Sequence, residues 1–386
     1  MPALHALLAT LGLLAVAVAA LYSTLTVIAV AAWRLRRAAT PAAQLPPVTV
    51  LKPLCGAEPG LYENLRSFCE QDYPQFQVVF GLRDSADPAL SVAERLRREF
   101  PRCCTDIVLN PQLHGGNRKV SNLVNMLERA QHEVLVMADS DAIVGRDYLR
   151  QVTAPLQDPA VGLVTCIYRD LPTGQLWSRL GAMYINEWYI PSVLLAWLCG
   201  HEGYASGQTL CIRRDKLQAI GSLRAIANHL ADDYKLGELV RAQGGRIELS
   251  PYLLRTEHDE PSFSGLQRHE VRWMRTLKVL RPRSFRLLFL SFSLPLALAG
   301  SALLGAAAAP RLIADGGLAV VVLARLALHL CGRAGNERRV LSDLWLVPVR
   351  DLLLLWVWLQ GFFTSRLTWR GTEFDVGADG IMRKPT

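Results

Sequence analysis

Several motifs that mark common protein classes are missing from this chain of 386 residues. None of its eight cysteines forms a C-x-x-C pair or is spaced with histidine as in a zinc site, which argues against structural zinc. Most of them lie in apolar runs, as is typical of buried thiols in a reducing compartment. The chain has no G-x-G-x-x-G motif, no P-loop, no internal repeat and no aromatic-rich basic module, so a dinucleotide site, a Walker site and nucleic-acid binding are all unsupported.

Charge is also missing from about residue 5 to residue 33, a stretch longer than the roughly 20 residues that a helical membrane span needs. Arg34, Arg36 and Arg37 follow directly. A cleaved signal peptide is disfavoured, because the apolar region is too long and the positive charge comes after it. The positive-inside rule predicts that the N-terminus is outside and that the chain after Arg34 is cytoplasmic.

Three further hydrophobic segments lie at about residues 287–309, 312–330 and 344–363. The first two are long enough to span as a hairpin, whereas the third carries Arg350 and Asp351 and either spans or lies tilted or re-entrant at the interface. Part of the net charge of +8 comes from arginine clusters beside these segments, which indicates anionic lipid as a partner. We therefore expect a multi-pass protein of the inner (cytoplasmic) membrane.

The central part of the chain alternates apolar runs with amphipathic segments. We predict strands at 48–51, 76–82, 105–109, 162–168 and 210–213, one more running from 133 into 139, and helices at 61–70, 89–100, 118–130, 175–189, 232–242 and 263–280. This alternation predicts an α/β fold with a mostly parallel sheet. The apolar segment 190–199 is either a membrane-surface segment or part of a core. We expect an N-terminal transmembrane helix at 1–37, a cytoplasmic domain at 38–285, and transmembrane or interfacial helices with a short tail at 286–386.

The stretch Glu133-Val-Leu-Val-Met-Ala-Asp-Ser-Asp141 ends a buried strand in two carboxylates. In an open α/β sheet the ligand crevice lies at the carboxyl ends of the strands. Because residues i and i+2 of an extended backbone point to the same side, Asp139 and Asp141 can converge on one Mg²⁺ or Mn²⁺ ion that also binds a diphosphate. The alternative is a strand end followed by an Asx turn. The other motifs of the chain are needed to decide between these two interpretations.

Other polar side chains are predicted at the same edge of the sheet. Asp84 and Asp87 follow the strand 76–82, Lys119 lies in the first turn of a helix whose N–H groups favour anions, and Asp233 begins the helix 232–242. Further on, His269-Glu-Val-Arg-Trp273 belongs to a basic helix.

Together these motifs resemble the family-2-like glycosyltransferases of the GT-A fold, a Rossmann-like fold, and in particular the ceramide glucosyltransferase family. That family has bacterial relatives, among them the hopanoid-biosynthesis-associated glycosyltransferases. Leu51-Lys-Pro-Leu-Cys-Gly matches the family's opening strand. Asp-Ser-Ala-Asp87-Pro-Ala looks like its first aspartate site, Ala-Asp139-Ser-Asp like its second and Ala-Asp-Asp233-Tyr like its third. His269 stands where the family has Gln or Arg, ahead of Arg272 and Trp273, and Arg268 is another candidate for that position.

The resemblance and the residues imply a set of roles. Asp84 or Asp87 holds the nucleotide, Lys119 and Arg272 bind phosphates, and His269 contributes to the same nucleotide-sugar site. Trp273 either stacks on the sugar or acceptor or packs in its helix. Asp233 is the candidate general base, with Asp232 assigned to capping the helix.

The expected activity is inverting transfer of one glucose or N-acetylglucosamine from a UDP-sugar donor to a lipid hydroxyl, of ceramide or a hopanoid polyol. A polyprenyl-phosphate or polysaccharide glycosyltransferase is the nearest alternative. The same fold also serves nucleotidyltransferases, but these need no Arg-Trp helix before a membrane hairpin. A transport or channel subunit with a cytoplasmic regulatory domain is disfavoured by the small number of spans.

Overall fold

The computed structural model describes residues 2–36, 45–201, 203–304, 308–332, 340–363, 366–369, 372–377 and 379–383. Two compact units are present. The sheet unit contains Arg36–Leu171, Gly200–Asp259 and Trp369–Thr386, and the helical unit contains Met1–Leu35, Pro172–Cys199 and Glu260–Thr368.

The strands lie in two sheets, one of eight strands and one of three. Their bounds are β1 Val48–Pro53, β2 Phe76–Leu82, β3 Cys104–Leu109, β4 Val134–Met137, β5 Ala142–Ile143, β6 Val161–Asp170, β7 Leu210–Arg213, β8 Arg246–Thr256, β9 Arg366–Trp369, β10 Thr372–Val376 and β11 Met382–Arg383.

The helices follow the sequence pattern closely in the central part of the chain. Their bounds are α1 Pro2–Arg34, α2 Leu61–Cys69, α3 Ala89–Glu99, α4 Arg118–Leu127, α5 Tyr148–Thr153, α6 Leu176–Tyr184, α7 Ile190–Leu198, α8 Arg214–Ala219, α9 Asp232–Ala242, α10 Phe263–Leu280, α11 Pro282–Leu287, α12 Ser293–Ala302, α13 Ala308–Gly332 and α14 Leu346–Phe363.

The large sheet has the strand order β3-β2-β1-β4-β7-β6-β8-β5. Strand β1 pairs in parallel with β2 and β4, and β6 pairs in parallel with β8. Strand β7 is antiparallel to both β4 and β6, so β1, β2, β4, β6 and β8 all point the same way. The predicted mostly parallel α/β sheet is confirmed. Strand β3 pairs in parallel with β2, so this geometry brings the carboxyl ends of six strands, and the amino end of β7, to one edge.

Helix α4 shows how the sequence builds this unit. Asn117 precedes it in an extended conformation, and its side-chain oxygen accepts from the N–H of Val120 at 3.1 Å, which caps the first turn. Val120, Leu123 and Val124 then pack in the core beside strands of the sheet, as their i, i+3, i+4 spacing predicts. Burying each such side chain contributes about 1.5–3 kcal/mol.

The C-terminal residues, expected to form a short tail, include the strands β9, β10 and β11. Strands β10 and β11 pair antiparallel, with Val376 opposite Met382. The side chains of Phe374 and Met382 are buried, which anchors this pair within the sheet unit.

In the helical unit α1 packs against α12 and α13. At the closest crossing, a Cβ on Gly12 would lie 2.5 Å from the carbonyl oxygen of Gly300, and one on Gly300 would lie 2.6 Å from that of Gly12. Only glycine allows this approach of two backbones, which is the usual device of apolar helices that pack in a membrane. The helices α1, α13 and α14 are long and apolar enough to cross a bilayer, over Ala3–Arg34, Ala309–Gly332 and Leu346–Phe363.

The hydrophobic segment predicted at 287–309 is not one straight helix. The helical pair Pro282–Ser291 and Ser293–Ala302 is bent by 68° at this point. Pro295 gives the physical reason, because a proline ring clashes with the carbonyl four residues earlier, that of Ser291, and so cannot continue the preceding helix.

The predicted helix 175–189 is likewise divided, into α6 and a π-helical turn at Ile185–Tyr189 that leads into α7. Pro191 in α7 has no N–H, so the carbonyl of Glu187 lacks its helical donor. The guanidinium of Arg325 donates to that carbonyl instead, at 2.8 Å. Segment 190–199 proves to be helical, with Ile190 and Leu194 buried and Trp197 packed edge-on against Trp33 at 5.3 Å.

Candidate active site

The carboxyl edge of the large sheet gathers acidic and basic side chains from six parts of the sheet unit. Lys52 is near the end of β1, Asp139 and Asp141 follow β4, Asp170 ends β6, and His258 comes two residues after β8. Lys119, Gly207, Gln208, Asp232 and Asp233 complete the group. We call these ten residues the acidic site.

Asp139 lies between two lysines. The ammonium of Lys119 is 2.5 Å from its Oδ1, and Lys119 also pairs with Asp232 at 3.5 Å. Lys52 donates to the backbone carbonyl of Asp139 and lies 3.7 Å from the ring centroid of Phe68. Because Lys52 is fully buried, this bond fixes the backbone from which the Asp139 carboxylate projects.

Asp141 is held from the opposite side by His258 and Gln208. The His258 Nε2 atom is 3.1 Å from Asp141 Oδ2, and its Nδ1 atom is 2.7 Å from Asp170 Oδ1. The Gln208 Nε2 group donates to both oxygens of Asp141, at 3.2 and 3.3 Å. Since a carboxylate only accepts hydrogen bonds, these contacts fix which end of the Gln208 amide faces Asp141.

Gly207 connects the two acidic motifs. Its N–H donates to Asp233 Oδ2 at 2.9 Å. A Cβ at this position would lie 2.8 Å from the Lys119 nitrogen and 2.9 Å from Asp139 Oδ2. Such distances are shorter than real Cβ contacts, so a side chain at this position would displace the Lys119 ammonium and the Asp139 carboxylate from their present places.

Asp232 and Asp233 open helix α9, but the assignment of Asp232 as its cap is wrong. Ala231 occupies the N-cap position, and no side chain caps the helix there. Asp232 lies within the first turn, where its carboxylate pairs with Lys119 and accepts from the Asn117 amide at 3.4 Å. Asp233 accepts from its neighbour Tyr234 N–H at 2.7 Å and from Gly207.

Burial and mutual repulsion shift the ionisation of these groups. Burial, followed by the charge of Asp232, raises the pKa of Asp233 to about 6. Burial also raises the pKa of Asp139, with Asp141 adding repulsion. For Lys119, burial disfavours the charged form, yet Asp139 and Asp232 outweigh it and raise the pKa of the ammonium. The raised carboxyl pKa values thus come first from burial, with repulsion between neighbouring carboxylates adding to it.

The residues of this site fit a divalent cation. Five carboxylates face two lysines and one histidine, so even with His258 protonated the site holds two more negative than positive charges. Gln208 is 8% exposed, and its Oε1 atom has no hydrogen-bond partner among the residues that the structure describes. Among the described residues no three His, Cys, Asp or Glu side chains form a ready-made metal cluster. Divalent cations such as Mg²⁺ are commonly bound through one or two carboxylates, with substrate phosphates as further ligands, and the carboxylates of this site supply oxygen ligands of that kind.

Asp84 and Asp87 lie beyond the end of β2, at the same edge of the sheet. Asp87 accepts from the N–H groups of Gly56, at 2.9 and 3.0 Å, and of Ala89, at 2.9 Å, so it ties the loop after β1 to the start of α3. The Asp84 side chain is exposed, and its carboxylate accepts from the N–H of Ala86 at 2.9 Å. Within the described part of the chain, no hydrogen bond or ion pair joins either carboxylate to the acidic site.

His269, Arg272 and Trp273 belong to α10 in the helical unit. The His269 Nδ1 atom pairs with Glu260 at 2.8 Å, and the ring of Trp273 packs against Tyr184 at 5.3 Å. Their roles toward a nucleotide sugar stay predictions.

Five members of the acidic site were not singled out from the sequence: Lys52, Asp170, Gly207, Gln208 and His258. The sequence does contain a signal that could have identified Lys52, because it is the only charged residue in the apolar run that forms strand β1. His258 follows strand β8, which is not among the predicted strands.

The fold and the acidic site define a glycosyltransferase of the GT-A type. Among solved structures, a mannosyltransferase from Pyrobaculum calidifontis in complex with GDP-Man and Mn²⁺ superimposes with a TM-score of 0.51. It shares 21% sequence identity, over 90% of this chain and 99% of that one, so the likeness is one of fold.

The chain belongs to glycosyl transferase family 21, whose family model matches residues 11–382. The predicted family is thereby confirmed. Ceramide glucosyltransferase 3 of Caenorhabditis elegans is 22% identical over 366 residues, 92% of this chain and 78% of that protein. Ceramide glucosyltransferase of Komagataella phaffii is 32% identical over 105 residues, 26% of this chain and 21% of that protein.

Proposed function

We propose that this glycosyltransferase moves one hexose, glucose in the first place, from a UDP-sugar to the hydroxyl of a membrane lipid of the ceramide type. The observation that carries the proposal is the excess negative charge around Asp139 and Asp141, joined through Lys119 and Gly207 to Asp233. The names of the family relatives support glucose and ceramide. The apolar helices α1, α13 and α14 support a membrane-bound acceptor.

Asp139 and Asp141 would hold the divalent cation, which supplies Lewis-acid stabilisation of the departing diphosphate. Lys119 lies in the first turn of α4, where the helix N–H groups also favour phosphate. Its ammonium is paired with Asp139 and Asp232, and with a cation held by Asp139 it would be available to bind the phosphates. Gln208 and His258 orient Asp141, and Lys52 orients the Asp139 backbone.

Asp233 takes the acceptor hydroxyl proton in this scheme. Its pKa of about 6 leaves it ionised at neutral pH and still basic enough to accept a proton during attack. A base that activates an acceptor on the face opposite the leaving group gives a single displacement, so the anomeric centre is inverted. Asp84, with an exposed carboxylate, is the better placed of the two first-site aspartates to accept from the uracil N–H or the ribose hydroxyls.

We also propose that the sheet unit is cytoplasmic. Cys55 is exposed, whereas Cys69 is buried, so Cys55 is the thiol to label. A membrane-impermeant maleimide should reach it only in inverted or opened vesicles.

The test of the activity uses membranes that contain the full chain. Labelled UDP-glucose, UDP-N-acetylglucosamine and UDP-galactose are each offered with ceramide or with a hopanoid polyol, and the lipid product is identified by mass spectrometry. We expect a glucosylated ceramide with inverted anomeric configuration, loss of product in EDTA, and recovery with Mg²⁺ or Mn²⁺. Product from another donor or acceptor would redirect the assignment, and transfer that persists in EDTA would contradict the role of Asp139 and Asp141.

A further inference from the structure

Two loops of the sheet unit carry the acidic site's movable groups. Loop 114–117 precedes Lys119, and loop 227–231 precedes Asp232 and Asp233. They are bound to each other by the N–H of Asn117, which donates to the Ala227 carbonyl at 2.8 Å, and by the Asn117 amide, which donates to the His229 carbonyl at 2.9 Å. A Cβ on Gly115 would lie 2.4 Å from the Ala227 oxygen, so the loops touch backbone to backbone.

The C-terminal hairpin, β10 with β11, binds the outer side of these loops. The N–H of Met382 donates to the Asn228 carbonyl at 2.8 Å, and the N–H of Leu230 donates to the Gly380 carbonyl at 3.0 Å. A β-bridge joins His229 to Ile381. The Met382 side chain is 5% exposed, and its Cβ would be 3.2 Å from a Cβ on Gly116.

The hairpin contacts therefore reach both loops, from a position about 150 residues further along the chain than Asp233. Leu230 is three residues from Asp233, and Gly116 is three residues from Lys119. Loop backbone that loses such partners opens to water at little cost, because short surface loops lie at the low end of local stability. A displacement of about 1 Å of a reacting group is enough to reduce a rate about a hundredfold.

We propose that the C-terminal hairpin is a positioning element of the active site, which fixes Asp233 and Lys119 by ordering loops 227–231 and 114–117. The proposal rests on the proposed function for its effect on catalysis, though the ordering of the loops is independent of substrate. Met382 and Gly380 touch no reacting group in this scheme, and they act through the loops.

The test compares two single changes in the full-length protein in detergent or nanodiscs. Met382→Pro removes the N–H that donates to Asn228 and so detaches the hairpin from loop 227–231. Arg383→Ala is the matched control, because it changes the next residue of the same strand but removes only an exposed ion pair with Asp379. Met382→Ala, which keeps the N–H and trims the buried side chain, serves if the proline variant does not fold.

Hydrogen exchange gives the first measurement. We expect amides of residues 227–234 and 114–120 to exchange at least tenfold faster in Met382→Pro, with those of β1 and β2 unchanged and Arg383→Ala like the wild type. The second measurement is kcat and KM for the UDP-sugar. We expect kcat to fall about tenfold or more and KM to rise by a smaller factor. The reason is that the hairpin forms its hydrogen bonds with loop 227–231, which precedes Asp233, and only packs against loop 114–117, which precedes Lys119.

Unchanged exchange in both loops would overturn the proposal. So would faster exchange with unaltered kcat and KM, because the loops would then be covered by the hairpin but not positioned by it. If the wild-type protein transferred no sugar from any UDP-sugar, the proposed function would fail, and the exchange data alone would still decide whether the hairpin orders the loops.

Discussion

The sheet unit and the helical unit each collect acidic and basic side chains away from water, and they differ in how fully those charges are paired. In the helical unit, Arg325 forms two hydrogen bonds with Asp351, at 2.9 and 2.7 Å, and Arg350 forms two with Glu270, at 2.6 and 2.8 Å. His329 lies between Glu187, at 2.7 Å, and the Val340 carbonyl, at 2.9 Å. We call these six side chains the ion network.

The ion network is nearly inaccessible, with side-chain exposures of 8% or less, and its charges balance when His329 is protonated. In the acidic site, Asp139 is 31% and Lys119 21% exposed, and two negative charges are left over. A closed and neutral group holds helices together, whereas an open group with surplus charge is prepared for a ligand of opposite sign. Charge balance and access thus separate a structural cluster from a binding site made of the same residue types.

The sharpest way to break this comparison is the change Asp139→Asn. In the proposed role of Asp139 as a ligand of the cation, its loss removes several kcal/mol of transition-state stabilisation, which corresponds to about a thousandfold or greater fall in kcat. The thermal midpoint should be unchanged or raised, because the repulsion from Asp141 and Asp232 is relieved while Lys119 keeps Asp232 as a partner. Transfer assays and thermal unfolding of the same preparation check both parts.

The control for that variant is Asp72→Asn, the same substitution at a carboxylate that is 76% exposed and pairs with Arg150 on the surface. It should leave kcat and the thermal midpoint as in the wild type. Full activity of Asp139→Asn, or a clear fall in its thermal midpoint, would place Asp139 with the structural charges instead.

In the ion network the opposite outcome is expected. Arg350→Met leaves Glu270 buried without a partner, which costs on the order of 3–5 kcal/mol. The loss should appear as a lower thermal midpoint and less folded protein in detergent, with kcat per folded molecule little changed. Adding Glu270→Leu to Arg350→Met should restore most of the stability, because neutral side chains can replace a buried pair. A single variant as stable as the wild type would show that this pair is not structural.

The sequence predicted more of the sheet than of the site. Strands β2 and β7 and helices α9 and α10 have the predicted bounds, because apolar periodicity and a clear start signal agree in each. Strand β8 was missed because Pro251 interrupts its pattern, and the sheet accommodates this proline with an irregularity opposite Cys166 and Ile167. Because β8 was not predicted, the position of His258 beside Asp141 was not predicted either.

The ion network could not be predicted from the sequence either, although Arg350 and Asp351 were noted as charged residues within a hydrophobic segment. Their partners lie 80 residues away in Glu270 and 26 residues away in Arg325, and periodicity within one helix contains no information on such pairs. Similarly, four aspartates of the acidic site, Asp139, Asp141, Asp232 and Asp233, were identified by motif. Asp170, Lys52 and Gln208 join them through contacts that only the folded chain defines.

The smallest expected effect is the pH dependence of kcat/KM, which reports the free enzyme. Burial raises the pKa of Asp233 to about 6, so the base is protonated below that pH. We expect kcat/KM to fall about tenfold per pH unit below 6 and to level off above it. The contribution of Asp233 to the stability of the folded protein changes with pH in the opposite direction to kcat/KM. A carboxyl pKa raised by folding favours the folded state at pH below about 4, and this contribution is lost as pH rises through 6.

Thermal unfolding of the cation-free protein between pH 4 and 8 measures the second effect, and Asp233→Asn is the control that should remove it. The ion network sharpens the comparison, since Arg350→Met should shift the midpoint at every pH without moving the fall in kcat/KM. If kcat/KM stayed flat from pH 7 to pH 5, Asp233 would not be the group that accepts the acceptor's proton. Another group would then have to accept that proton, and the surplus negative charge of the acidic site would serve only to bind the cation.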